Sequence, residues 1–472
     1  MSGDQFRRTR SALPVAVSAG HPATAEAGVE ILADGGSAAD AAIAAGLASC
    51  VAETVMTGLL GGGHAIYWDA SAGRARNLDC FCAVPSGSGG ELIGLDVPFG
   101  EELVHYAVGA ASCAVPGVAA GLGALWEAHG RLPWARLVEP ALRLARAGVE
   151  MPPAHASCLA MLEPVMTMRE GARMYAPGGR LLQAGDRLEQ PGLVAALESL
   201  AAEGATGAYT GTIGRALLAL SDERCGLVTA DDLAGYEARW TEPAEAAWLG
   251  LRFLTRGGLS GVPETLERLP RLRGLAPADR VLALLAALAG TPGPETHTTN
   301  LVTVDHDGNA CVLTTSLGLG SGDWLPGLDL HLNSMLGEVD LLVGALEPGA
   351  RMESMMAPSV VLDERGLALA IGAAGGTRLR TALVGVAAGI LDEGLVPQEA
   401  VERPRAHVAA DVVNAEPGID EDALDQLESS GLRVRRWPAL HHYFGGVSGI
   451  GRRGAAADPR RSGVVLSVPE RA

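Results

Sequence analysis

The sequence predicts an α/β protein in which short strands form layered sheets covered on the outside by helices. Three observations carry that reading. Hydrophobic residues make up 48% of the 472 residues and charged residues 19%, so a large core is certain and global disorder is excluded. Runs of β-branched residues bounded by glycine turns recur near both ends of the chain. Helical text flanks each group of strands, as layered sheets with outer helices require.

Taken in order, Pro14–Ser18 reads as a short strand. The stretch HPATAEAGVEILADGGSAADAAIAAGLASCVAE gives two helices broken at Gly35-Gly36, with Ser37 and Asp40 placed to cap the second. A glycine-rich turn then leads into a hairpin, His64–Asp69 pairing with Ala75–Phe81 across the Ala70–Gly73 turn. From Ala114 to about Tyr236 the pattern is largely helical, with breaks near Pro152 and Gly178. Residues 237–297 offer one strand, Trp248–Thr255, followed by short helices. Beyond them Leu301–Val304, Ala310–Thr315, His331–Asn333, Ser359–Leu362 and Leu367–Ile371 read as strands. The last of these feeds Gly372–Gly376 and a helix from Thr377 to Leu391.

Composition removes several function classes. A formal charge of -19 and a pI near 5.0 argue against nucleic acid or an anionic membrane as partner, since either needs a basic face. The chain contains no lysine, which excludes a PLP Schiff base, a P-loop lysine and a kinase-type ATP lysine. Seven cysteines, an odd count, fit no CxxC zinc spacing and read as reduced structural thiols. The N-terminal apolar run Ala12–Val17 is broken by Pro14 and falls short of the ~7–15 residues of a secretory h-region. Val281–Gly290 falls short of the ~20 residues that span a bilayer. A cytoplasmic protein without metal or cofactor is the expectation.

Familiar motifs return little. Gly449-Ile450-Gly451-Arg452-Arg453-Gly454 matches GxGxxG, but too little chain follows to complete the ~30-residue βαβ unit that gives it meaning. No GxSxG elbow and no HExxH occurs, and His441-His442 reads as a solvated or core pair. What remains is PGPETHTTNLVTVDHDGNA, residues 292–310, where Thr296, Thr298 and Thr299 stand at the mouth of a buried strand. A threonine hydroxyl is a poor nucleophile without an adjacent base. One base is its own α-amine, of pKa about 7.7–8.0, once the chain is cut before it. Such a catalyst needs a loop before the nucleophile, a strand after it and N–H groups for an oxyanion. Pro292–His297, Leu301–Val304 and Gly375-Gly376 are of the right kind.

Longer segments are more specific. HPATAEAGVEILADGGSAADAAIAAGLA, ETVMTGLLGGGHAIYWD and CAVPGVAAGLGALWEAHGRLPW in the first half resemble the γ-glutamyltranspeptidase family of N-terminal nucleophile hydrolases. So do TTNLVTVDHDGNA, MMAPSVVL and GAAGGTRLRT in the second. The similarity is collinear over most of residues 12–468, but not over about 240–295, where this chain is markedly shorter than the family pattern. It implies a four-layer αββα sandwich and a proenzyme that cuts itself into large and small fragments that stay together. Counting back from Val304-Asp305, the family register places the nucleophile at Thr298 and the scissile bond at His297–Thr298. Residues 1–297 would be the large fragment and 298–472 the small one. By the same resemblance Ser316 partners the nucleophile, Gly375 and Gly376 form the oxyanion hole, and Ser354 lines the substrate site.

The departures bear on the substrate. Phe81 stands where the family has its substrate-carboxylate arginine, and Gly318 where it has an asparagine that holds the glutamyl head group. Met335 replaces the Gln/Glu that takes the α-amine, and Met355 replaces a second serine. Asn333 and Glu338 remain as polar candidates. Loss of the bidentate arginine removes a contact worth roughly 1.5–3 kcal/mol and leaves a substrate carboxylate poorly paired. The resemblance therefore implies a small-molecule threonine hydrolase whose acyl group is not ordinary γ-glutamyl. Divergent family members in antibiotic pathways cleave a carbon–carbon bond beside a keto acid, and this chain resembles that sort of specialist. A conventional glutathione hydrolase/γ-glutamyltransferase and an uncut, inactive scaffold are the alternatives.

Overall fold

The computed structural model describes residues 13–99, 102–289, 298–338, 341–344, 346–409 and 411–468. Two antiparallel sheets form its centre. In chain order their strands are β1 (Ala16–Ala19), β2 (Gly62–Asp69), β3 (Arg74–Cys80), β4 (Arg239–Thr241), β5 (Ala244–Trp248), β6 (Leu251–Thr255) and β7 (Thr299–Val304). They continue with β8 (Ala310–Ser316), β9 (Ser359–Asp363), β10 (Gly366–Ala374), β11 (Gly446–Gly451), β12 (Gly454–Ala457) and β13 (Val464–Ser467). The seven-stranded sheet runs β13-β1-β7-β8-β2-β3-β4 and the six-stranded sheet β12-β11-β10-β9-β6-β5.

Side-chain alternation along β7 shows how the layers assemble. Leu301 joins the core shared with the helices, whereas Val302 and Val304 join the core between the sheets. There they meet Val360, Leu362, Ala370 and Ile450 of the second sheet. Each such aliphatic contributes about 1.5–3 kcal/mol on burial, and a one-residue slip would turn the whole set to the wrong face. The first sheet is covered outside by α1 (Pro22–Ala33) and α2 (Ala38–Ala52). Every residue of α2 is buried, which its alanine-rich sequence permits. The second sheet is covered by α3 (Val262–Arg268) and α4 (Arg378–Leu391). The order helix, sheet, sheet, helix is the αββα sandwich that the resemblance implies.

Local signals hold where the chemistry is local. Ser37 and Asp40 make a reciprocal capping box on α2, and the β2–β3 hairpin turns at residues 70–73. Other expectations need correction. Trp248–Thr255 is not one strand but the meeting of β5 and β6 across Leu249-Gly250, both with positive φ. His331–Asn333 is not a strand; only Leu330–His331 pairs, with Trp324–Leu325. The GxGxxG match is the β11–β12 hairpin, with its bend at Arg452-Arg453. All seven cysteines are free, six of them buried. No helix among the described residues is long and apolar enough to cross a membrane.

Candidate active site

Thr298 lies one residue before β7 and is buried, 2% exposed. Thr299 pairs with Thr315 and Asn300 with Thr314, so the ladder extended by one step sets Thr298 opposite Ser316, the last residue of β8. Parity separates the two adjacent threonines. Thr299 points toward the helix layer, where its hydroxyl donates to Glu53 just beyond α2. Asn300 takes the opposite face, where its side-chain amide donates to Thr314 at 2.8 Å and packs against Gly372 of the second sheet. By the same alternation Thr298 belongs with Asn300, on the face between the sheets. His297 and Thr296 lie outside the described residues.

A cavity of about 290 Å³ opens beside Thr298. It gathers Ser316, Phe81, Met335, Ser354, Met355 and Gly376, drawn from five separate stretches of chain. Gly375 and Gly376 form the turn from β10 into α4, with φ of 126° and 57°. A Cβ on Gly375 would lie 2.7 Å from the Gly445 Cα, so glycine is demanded by close approach as well as by φ. The Gly376 amide donates to no carbonyl among the described residues and lines the cavity. Gly375 does not line it.

A family model described as gamma-glutamyltranspeptidase matches residues 24–278 and 276–468. The chain belongs to the γ-glutamyltranspeptidase family. It is therefore an enzyme of a hydrolase and transferase family. Acylase ACY 1 proenzyme of Pseudomonas sp. (strain SE83) is 29% identical to it over 91% of this chain and 88% of the relative. Glutathione hydrolase proenzyme of Pseudomonas aeruginosa is 28% identical over 96% and 94%. The cephalosporin acylase of Bacillus halodurans superposes with a TM-score of 0.82 at 24% identity, over 96% of both chains, a likeness of fold.

Within this transpeptidase-family scaffold one wall of the first cavity is apolar. Phe81, 1% exposed, stacks on His64 with ring centroids 5.5 Å apart. The guanidiniums nearby are committed elsewhere. Arg351 donates to the Phe81 carbonyl at 2.7 Å and lies over the Tyr236 ring, and Arg256 donates to the Ser354 carbonyl. Met355 and Met335 complete an apolar wall with Met356. Gly318 leaves room for a carboxylate: a Cβ there would stand 2.1 Å from Glu338 Oε1. Glu338 is thus buried against Gly318, filling space that an asparagine at 318 would need.

Asn333 has a structural task and not the substrate contact expected of it. It is fully buried, and its amide donates to Leu60 O at 2.8 Å and Ala114 O at 2.9 Å. Its carbonyl accepts from the Ala114 and Met335 amides. Those bonds staple three segments together and leave nothing for a ligand.

A second cavity of about 310 Å³ also reaches Thr298, and sequence reasoning did not find it. Its polar residues include Glu53, His155 and Arg461. Glu53 accepts from Thr24 Oγ1 at 2.6 Å and from Thr299 Oγ1. Burial pushes its carboxyl pKa up, against the pull of those two hydroxyls and Arg461. Burial, with His21 and Arg461 nearby, lowers His155 to about 3, so its ring is neutral. The sequence did hold a clue to Glu53, a carboxylate at the C-terminal end of a wholly buried, alanine-rich helix, where the helix dipole disfavours it. His155 and Arg461 carried no such signal; tertiary packing alone brings them here.

Proposed function

We propose that this chain is a self-processing threonine hydrolase whose acyl pocket accepts an apolar group in place of γ-glutamyl. The observation that carries the reading is the cavity in which Thr298, Ser316 and Gly376 face Phe81, Met335 and Met355. Cleavage of the His297–Thr298 bond would free an α-amine on Thr298 and leave residues 1–297 and 298–472 associated. Thr298 Oγ then attacks the substrate carbonyl while its own amine takes the proton, at a pKa of about 7.7–8.0 suited to neutral pH. The tetrahedral oxyanion is held by the Gly376 amide, with Gly375 shaping the turn that aims it, and Ser316 orients the hydroxyl. Protonation of the leaving nitrogen breaks the C–N bond, and water releases the acyl group from Thr298. Ser354 and Glu338 are the polar groups left to orient the substrate. The reading extends to a small-molecule substrate of natural-product assembly, cleaved in the cytoplasm at an amide or at a carbon–carbon bond beside a keto acid.

Apolar walls favour this over γ-glutamyl transfer, because a zwitterionic glutamyl head group would face Phe81 and Met335 without its arginine. Two measurements test it. A mass spectrum of the purified protein should show two fragments divided between His297 and Thr298. Dye release should then be faster from phenylacetyl-p-nitroanilide than from γ-glutamyl-p-nitroanilide. A preference for the γ-glutamyl substrate would restore the conventional transferase, and an uncut chain would point to an inactive scaffold.

A further inference from the structure

A third cavity, of about 420 Å³, shares no lining residue with the two at Thr298. It lies on the seam between two hydrophobic clusters. One, which includes Ala382, Val386 and Ala400, covers the second sheet. The other, which includes Leu285, Ala406 and Ile419, joins the Pro277–Leu288 helix to a small sheet of Ala406–Ala409, Val412–Ala415 and Arg433–Arg436. Where the clusters meet, the side chains do not close the gap. Gly385, in the middle of α4, is one reason. Its backbone is ordinary α-helix, and an added Cβ would meet nothing closer than Leu284 Cδ2 at 3.5 Å. Neither strain nor crowding demands glycine there, and glycine weakens a helix interior. Its effect is to leave space against Leu284.

The polar side of this cavity is cationic. Arg280, Arg403 and Arg405 line it, and no carboxylate does. Arg405 is committed, donating to Asp458 and to the carbonyls of Val401, Phe444 and Gly445. Arg280 and Arg403 instead converge on one carboxylate, Glu393, at 2.9 Å and 2.6 Å. Arg280 Nη1 and Arg403 Nη2 find no acceptor among the described residues. In the linked set of ion pairs, Arg280, Arg403, Arg405 and Arg460 face Glu393, Asp458 and Glu416. Four guanidiniums against three carboxylates leave one positive charge beside an apolar hollow. An anionic head group would offset it.

We infer that this third cavity binds an amphipathic monocarboxylate of medium chain length. The carboxylate sits on Arg280 and Arg403, and the hydrocarbon lies between Leu284 and α4 in the space that Gly385 leaves. The volume falls within the ~300–1,000 Å³ of small-molecule sites. The inference does not depend on Thr298 being the nucleophile. A ligand here packs on α4, the helix that follows the Gly375-Gly376 turn, and so braces the element behind the Gly376 amide. Because it binds only the folded chain, it stabilises that chain.

Calorimetry on the full-length protein compares octanoate with octanamide, which keeps the chain and loses the charge. Wild type should bind octanoate about 10-fold or more tightly than octanamide, the worth of one charge-assisted contact. Gly385→Leu fills the cavity from α4 and should weaken both ligands by about 10-fold or more. Arg403→Gln should erase the preference for the acid. Glu393→Gln, which releases both guanidiniums, should tighten octanoate binding, a gain that misfolding cannot imitate. Each variant is checked for folding by circular dichroism. Thr298→Ala should bind octanoate as wild type does, whatever becomes of chain cleavage. No binding of octanoate at millimolar concentration, equal affinity for acid and amide, or octanoate binding that survives Gly385→Leu overturns the inference. So does an acid preference that survives Arg403→Gln, or octanoate binding weakened by Glu393→Gln. Binding lost in Thr298→Ala would place octanoate in the apolar cavity at that residue and overturn it as well.

Discussion

Thr298 and Thr299 are neighbours of one chemical type, and the strand's alternation assigns them opposite consequences. Thr299→Val keeps the shape of the side chain but removes the hydroxyl that donates to Glu53. Glu53 is 1% exposed and, among the described residues, keeps the Thr24 hydroxyl as its remaining hydrogen-bond donor. A hydrogen bond to a charged group is worth about 1.5–3 kcal/mol, so the variant should lose roughly that much at neutral pH. The loss should shrink toward acid pH. Burial already holds the Glu53 carboxyl above its usual range, and a protonated carboxyl needs the donor less. Thr298→Ala removes a hydroxyl that borders a cavity and should cost under about 1 kcal/mol. Chain cleavage should respond the other way, persisting in Thr299→Val and vanishing in Thr298→Ala. Urea denaturation at pH 5 and pH 8 measures the first effect, and a denaturing gel with N-terminal sequencing of the smaller fragment measures the second. A Thr298→Ala protein that still divides, or a Thr299→Val protein that does not, would refute the parity argument.

Two further outcomes follow from the buried polar groups. Asn333→Ala strips partners from two carbonyls and two amides in the interior, so it should cost at least about 3 kcal/mol in denaturation experiments. A substrate-binding role alone would instead change KM and spare stability. Acid should destabilise the protein through its histidines: burial lowers His21 to about 4, and His155, His331 and His407 to about 3. The unfolded chain then binds protons the native state refuses, so this stability is complete above pH 6.5 and is lost as pH falls toward 4 and then 3. His21 also caps α1 through Nδ1, which accepts from the Ala23 amide at 3.0 Å, so His21→Asn should preserve the cap. That variant should recover roughly 3 kcal/mol at pH 4 in a pH-resolved denaturation series, and an unchanged acid limb would count against the assignment.

The fold was legible where sequence and structure share a period. The β-branched run at Leu301–Val304 and the capping pair Ser37 and Asp40 are local facts, and the structure holds both. The β5–β6 hairpin escaped because Leu249, a residue type that rarely takes φ > 0, occupies its turn, and the text shows no turn residue but Gly250. Around Thr298 the family register named most of the first cavity, since Thr298, Met355 and Gly376 lie within collinear motifs and Phe81, Ser316, Met335 and Ser354 are counted from them. Asn333 was misread because a polar side chain beside a motif gives no hint that four backbone groups already satisfy it. His155 and Arg461 could not be paired from the sequence, as 306 positions separate them along the chain and only the sheet packing brings them to one cavity.

The two substitutions that most separate this pocket from the family pattern are structurally coupled to their surroundings and are not simple losses. Phe81 does not leave a hole where an arginine would stand; it stacks on His64, and Arg351 behind it is held by the Phe81 carbonyl and by Asp79 at 3.4 Å. Positive charge is thus retained one layer back, where it supports the wall instead of meeting a ligand. Gly318 in turn exists because the Glu338 carboxylate occupies the space of its missing side chain, with φ of 68° that glycine adopts freely. Returning either position alone to the family residue would therefore bury a charge against an aromatic ring or drive an amide into a carboxylate. Such interlocked changes require compensation at their neighbours, so the apolar wall of this cavity is internally consistent, and any specificity tested there has to be tested on the whole pocket and not on one residue.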